Sequence, residues 1–204
     1  MTAPTAAATP PLAAASEQKL TAQELDQARQ FLEQTRNAVV GATKGLLDAQ
    51  WTFKPAPDRW SIAQNLDHIV VVQERVLGPI LDQLADAPAP PADRDNEQID
   101  KIVINQFSTR LDKFKAPEFV HPAEQIDPRE LLNRLASNYA RLAECLESRP
   151  GLRQHIVPAA PLKAVSKGAF ETMDGYQWIL AAAAHTERHA KQMLEVMAAP
   201  GYPA

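Results

Sequence analysis

The sequence predicts an all-α fold: a four-helix bundle with one long crossover connection. Three observations predict it. Only seven of 204 residues are glycine, and long Ala-, Leu-, Gln- and Glu-rich runs favour helix over sheet. Four stretches repeat apolar residues at spacings of three and four, the period of an amphipathic helix. Between the second and third of these lies a proline-rich link followed by an irregular segment, too long for a simple turn.

The elements follow in order. Residues 1–17 are rich in Ala, Thr and Pro and lack both a basic start and a continuous apolar run. They read as a flexible tail rather than a secretory signal. Residues 18–204 read as one helical domain. Thr21-Ala22-Gln23-Glu24 is a capping box, and Leu25, Ala28, Phe31, Leu32, Thr35, Val39 and Ala42 carry the first helix to about residue 47. Residues 51–60 hold Pro55 and Pro57 and predict an extended connector whose Trp51, Phe53 and Trp60 fold back on the bundle. Ser61-Ile62-Ala63-Gln64 is a second capping box, opening a helix through Leu66, His68, Ile69, Val72 and Val76 to about residue 84. Pro79 predicts a kink or an early end there.

A proline-rich link over 86–93 leads to a shorter helix over about 96–105. An irregular crossing segment then spans 107–127. Asp127, Pro128 and Glu130 are a cap, a first-turn proline and a first-turn acid, so the third long helix starts there and runs to Pro150-Gly151. Residues 151–172 predict a long loop in which Lys163 and Lys167 face water. Thr172 or Asp174 caps the last helix, which stops at Pro200-Gly201.

Composition excludes several functions. A net charge of −4 argues against nucleic-acid binding, which needs a basic stripe. A run of about 18 uncharged apolar residues is absent, so the sequence predicts no membrane span. The single cysteine, Cys145, permits no intrachain disulfide and fits a cytoplasmic protein. Its neighbours Glu144 and Leu146 offer nothing to activate a thiol, so it reads as a small helix-packing residue.

The chemistry concentrates in histidines. His185 and His189 sit four apart on the last helix, so they lie one above the other and can bind one metal ion together. On a helical wheel His185, His189 and Gln192 fall within about 60° of each other, on the face that carries Trp178 and Val196. Buried imidazoles need a partner for each nitrogen, which a metal and an outer hydrogen bond supply. His68 is the third candidate, about 100° from the centre of the Ile62/Leu66/Ile69 stripe and beside Asn65 and Val72. Periodicity alone leaves it open whether His68 is a ligand or a hydrogen-bonded helix residue. His121 and His155 lie in loop-like stretches and read as surface residues. Gln64 and Gln192 are candidates for orienting a ligand or simply polar helix residues. Glu187 is about 200° from His185 and serves the surface.

Two segments carry a family resemblance. Trp60-Ser61-Ile62-Ala63-Gln64-Asn65-Leu66-Asp67-His68-Ile69, with the lead-in Lys54-Pro55-Ala56-Pro57-Asp58-Arg59, resembles the first motif of the DinB-like superfamily. Tyr176-Gln177-Trp178, His185-Thr186-Glu187-Arg188-His189 and Gln192, and Pro200-Gly201-Tyr202-Pro203 resemble its last motif, and Pro117-Glu118 resembles the DinB-2 subfamily. The resemblance covers most of residues 20–203. It implies a four-helix bundle whose three histidines, here His68, His185 and His189, hold a divalent transition metal, commonly nickel or zinc. It also implies a homodimer. Family relatives include bacillithiol and mycothiol S-transferases and a maleylpyruvate isomerase, while many members have no known activity.

Three imidazoles leave coordination positions open for water or substrate, the pattern of a catalytic metal site. The expectation is therefore transfer of a low-molecular-weight thiol onto a small electrophile. No side chain stands out as general acid or base. Metal-dependent hydrolysis, and a non-catalytic metal-binding module in a stress response, stay open beside it. The 151–172 loop is longer and more lysine-bearing than the family pattern, so a relative's substrate does not carry over.

Overall fold

The computed structural model describes residues 19–109, 116–125 and 127–204. The tail expected over 1–17, and the middle of the crossing segment, lie outside the described residues. Helix α1 (Ala22–Thr43) starts at the Thr21 capping box, in which Thr21 Oγ1 accepts from the Glu24 N–H and Glu24 accepts from the Thr21 N–H. It ends four residues before the expected limit, and a short helix α2 (Asp48–Thr52) follows. Trp51 on α2 is buried, and Phe53 meets Tyr202 edge-on with ring centroids 5.6 Å apart. The aromatics of this connector do fold back on the bundle.

Helix α3 (Ile62–Val72) opens at the Ser61/Gln64 capping box. Pro79 does not end it. A π-turn over Gln73–Leu77 passes into α4 (Gly78–Gln83), and the Gly78 N–H bonds the Gln73 carbonyl five residues back. The extra residue in that turn absorbs the missing donor of Pro79, so the helix continues where a regular α-ladder would break. Helix α5 (Asn96–Phe107) is capped by Asp95, and α6 (Pro128–Ser148) by Asp127 with Pro128 at its first position.

The expected loop over 151–172 is structured instead. It holds strand β1 (Ile156–Pro158), a short helix α7 (Ala160–Val165) and strand β2 (Thr172–Asp174). The strands pair antiparallel, Ile156 opposite Asp174 and Pro158 opposite Thr172. Two three-residue strands are too short to show a period in the sequence. Lys163 pairs with Glu171 at 2.9 Å, both well exposed. Asp174, rather than Thr172, caps α8 (Gly175–Met197) in a capping box with Gln177.

The four long elements α1, α3/α4, α6 and α8 form the bundle. Both α1 and α3 pack against α6 and α8, and α5 lies against the outer side of α8. No described helix is long and apolar enough to cross a membrane.

The N-terminal end of α8 is fixed by a buried charge network. Arg153 pairs with Asp174 at 2.9 Å, Asp100 at 2.6 Å and Glu24 at 2.7 Å, and its guanidinium lies 4.2 Å from the Tyr176 ring centroid. Arg94 reaches the Thr172 carbonyl and Gln177 Oε1, each at 2.8 Å. Gly175 seats the helix start: a Cβ there would stand 2.4 Å from Leu84 Cδ2 and 2.8 Å from Leu152 Cδ2. This clamp ties α1, α5 and the 151–153 turn to α8, and so sets the axial position of everything α8 carries.

Candidate metal centre

Helix α8 is buried almost all round through its alanine run. His185 and His189 therefore point into the bundle, one turn apart. His189 is buried, and His185 is half-buried. Across from them α3 is apolar on nearly every side, and the edge that carries His68 is closed as well: His68 is only 4% exposed. The three rings form one cluster. Their centroids lie 5.1 Å apart for His68 and His185, 4.7 Å for His68 and His189, and 4.5 Å for His185 and His189. One ring nitrogen from each lies within 4.8 Å of the others.

Outer contacts hold two of the rings. His68 Nδ1 lies 2.7 Å from the Val120 carbonyl oxygen, and His189 Nδ1 lies 3.0 Å from Asn65 Oδ1. A carbonyl only accepts, so Nδ1 of His68 carries the proton and its Nε2 is bare. Val120 belongs to a 3-10 turn (Glu118–Val120) that is fastened to the same stretch of helix. Asp67 Oδ2 accepts from the Ala123 N–H at 2.8 Å, and Arg75 donates to the Phe119 carbonyl at 2.8 Å. The Trp60 indole covers the cluster, its centroid 4.8 Å from that of His68 and 6.0 Å from that of His189.

All three imidazoles are held neutral. Burial pushes the His68 pKa below its ordinary value despite the Val120 contact, and the neighbouring His121 adds to this. Burial and the neighbouring His68 take His185 down to about 3. Burial, then the two other rings and Arg188, hold His189 well below 6.5. Three neutral imidazoles are what a transition metal requires of its nitrogen ligands. The donor set, three neutral nitrogens without a carboxylate, fits a divalent ion of the zinc and nickel type. Among the described residues this is the one group of three or more His, Cys, Asp or Glu side chains that could hold a metal ion.

A family-wide sequence model of the DinB superfamily matches residues 31–193. The chain belongs to the DinB superfamily. YuaE of Bacillus subtilis (strain 168), an uncharacterized protein, is similar at 25% identity over 154 residues, covering 75% of this chain and 86% of YuaE. Among solved structures, YfiT from Bacillus subtilis shares the fold with a TM-score of 0.59 at 13% identity, over 92% of this chain and 94% of YfiT. YfiT is described as a probable metal-dependent hydrolase with an unusual four-helix bundle topology. The DinB bundle expected from the two motifs is thus the fold observed.

Gln192, a sequence candidate for orienting a ligand, hydrogen-bonds His189, while the remaining candidates fall outside the cluster. His121 is exposed, with its ring centroid 6.5 Å from Trp60 and its Nε2 2.8 Å from the Ala116 carbonyl. His155 is half-buried rather than on the surface, and its Nδ1–H donates to the Ala87 carbonyl at 2.6 Å. Gln64 spends its side chain on the α3 cap. Glu187 pairs with Lys191 at 2.8 Å. Burial pushes the half-buried Cys145 thiol up, away from the reactive thiolate. Sequence reasoning missed Asn65 and Val120. An asparagine one turn before a candidate ligand is a usable signal; a main-chain carbonyl leaves none.

Proposed function

We propose that this DinB-superfamily protein is a metal-dependent enzyme that joins a low-molecular-weight thiol to a small electrophile. The observation that carries the reading is the convergence of His68, His185 and His189, three neutral imidazoles without a carboxylate among them. A bound divalent cation would supply Lewis-acid chemistry, favouring the ionised form of a thiol or water in its open positions.

The chain's own residues do the rest. The three histidines offer nitrogen lone pairs, His185 being the half-buried one. Trp60 lies over His68 and His189 and offers an apolar face beside them. Asp67, adjacent to His68 in the chain, accepts from the Ala123 N–H, and among the described residues no carboxylate joins the three rings. That favours a thiol, which is acidic enough to ionise on coordination, over a mechanism that needs a base to take a proton from water. The thiol proton would pass to solvent, sulfur would form the new bond to the electrophilic atom, and the leaving group would depart with its electron pair.

Metal-dependent hydrolysis is the second reading, favoured by the description of YfiT. Homodimer formation is proposed alongside, and sedimentation showing only a 22.4 kDa species at high concentration would remove it.

The test combines metal analysis with activity. Purified protein is expected to carry about one nickel or zinc ion per chain, and His68→Ala and His185→Ala to lose it with helical content intact. Wild-type protein that stays metal-free and refuses both ions ends the reading. With metal established, thiols are screened against alkylating and halogenated substrates. No metal-dependent rate above solution excludes thiol transfer, and ester and amide substrates then test hydrolysis.

A further inference from the structure

We infer that Asn65 is a positioning residue: it locks His189 in the tautomer that presents a bare Nε2 to the cluster, before any metal arrives. The inference rests on the metal-site reading for its purpose, though its main test does not need the metal.

The geometry leaves the Asn65 amide one arrangement. Asn65 is 1% exposed, so its amide has no water to trade with. Its Nδ2 lies 2.9 Å from the Ser61 carbonyl oxygen, one turn back along α3. A carbonyl oxygen only accepts, so the amide nitrogen must face it; the flipped amide would set two oxygens against each other. Oδ1 is thereby aimed at His189 Nδ1, 3.0 Å away, and it too can only accept. On this contact the proton of neutral His189 sits on Nδ1 and Nε2 keeps its lone pair; the Gln192 side chain is the ring's other hydrogen-bond partner. Ser61 caps α3 through its hydroxyl, so the carbonyl that holds Asn65 belongs to a fixed helix start. The chain of constraint runs from the cap of one helix through an amide to a ring on another.

The consequence is one of affinity. A free imidazole divides between two tautomers, and the wrong one would put an N–H where a ligand atom is needed. His68 is fixed in the same sense by the Val120 carbonyl. Two of the three rings are thus sorted in advance, one by a side chain that can be changed.

The experiment uses the full chain, stripped of metal by chelation and labelled with 15N at histidine, at neutral pH. Long-range 1H–15N spectra report which nitrogen of each ring is protonated. Wild type is expected to show His189 with Nδ1 protonated and Nε2 bare. In Asn65→Ala, His189 is expected to shift towards Nε2–H, while His68 stays Nδ1–H and reports an intact fold. Asn65→Asp, which keeps an acceptor, is expected to keep the His189 Nδ1 protonated. Nickel titration of Asn65→Ala should show an affinity lower by about 10–100-fold, the usual cost of losing an outer partner.

Wild-type His189 found as the Nε2–H form overturns the inference. So does an Asn65→Ala spectrum with both rings as in wild type. If Asn65→Ala loses the His68 signals and so fails to fold, Asn65→Asp decides: His189 as Nε2–H in that variant is equally fatal. A wild type that shows the expected tautomers but takes up neither nickel nor zinc removes the metal reading and leaves the positioning role standing.

Discussion

The indole of Trp60 stacks on the imidazole of His189, their planes 25° apart and their centroids separated by 6.0 Å. The same indole reaches His68 at 4.8 Å. Trp60 thus touches two of the three rings proposed to receive the ion, and its emission should report their state. Adding nickel to metal-free protein is expected to change tryptophan fluorescence. Trp60→Phe is expected to lose most of that change while still taking up nickel. A full response in the variant, measured by titration, would assign the signal to Trp51 or Trp178 and contradict the prediction.

Arg153 is the hub of the clamp on α8. It is 8% exposed and faces three carboxylates within 3 Å. Replacing it with Met keeps most of the aliphatic stem but removes the closest cation from Asp174 and Asp100, leaving Arg94 at 3.5 Å from Asp174 and Gln177 on both. The expected loss is about 3–5 kcal/mol, the range for breaking a buried pair from one side. Urea unfolding checks it, and a loss under about 1 kcal/mol, the range of exposed pairs, would mean the clamp contributes as a surface pair does.

Glu24 belongs to both the α1 cap and that clamp. Burial alone would raise its pKa, but hydrogen bonds from Thr21 and Arg153 outweigh this and leave it below 4.5. The folded protein therefore favours ionised Glu24. The contribution is present above the unfolded-state pKa and disappears as pH falls through the lower folded-state value. Glu24→Gln, which preserves the cap geometry, is expected to be less stable than wild type at pH 7. The gap should narrow steadily below about pH 4.5, where carboxylates take up protons. Denaturation curves between pH 7 and 3 measure it; a constant gap would show that the charge plays no part.

Gly175 lies where α8 meets the 151–153 turn. Its N–H donates to the Leu152 carbonyl at 2.7 Å, and the space for a Cβ is filled by two buried leucines. Gly175→Ala is expected to destabilise by about 1–3 kcal/mol, as overpacking does, despite the better helix propensity of alanine. Thermal unfolding at or above the wild-type midpoint would show that Leu84 and Leu152 yield at no cost.

The bundle was legible because its signals are local. Capping boxes at Thr21 and Ser61, the Asp127-Pro128 start, and the apolar stripes each require only a few neighbouring residues. His185 and His189 were legible for the same reason, being one turn apart. His68 was only half legible: the wheel put it at an edge, and burial came from the 3-10 turn at 118–120, which has no periodic pattern. The β1–α7–β2 excursion was missed because its strands are too short to alternate. The clamp escaped because Glu24, Asp100, Arg153 and Asp174 come from four separate stretches, and a charge looks solvated until its partners are known. Of the two outcomes expected at Pro79, the early end does not occur, since a π-turn carries the helix past it.

The fastening of residues 116–123 to α3 has a kinetic meaning. Asp67 and His68, adjacent in the chain, are joined to Ala123 and Val120, 56 and 52 residues further on. Contacts of that span close late, because the chain entropy lost in closing the intervening loop must be met first. The bundle helices can therefore form while His68 is still free to spin. Competence for the ion thus follows helix formation and is separable from it in time. Stopped-flow refolding followed by Trp60 emission should resolve it as a phase slower than the gain of far-ultraviolet helical signal.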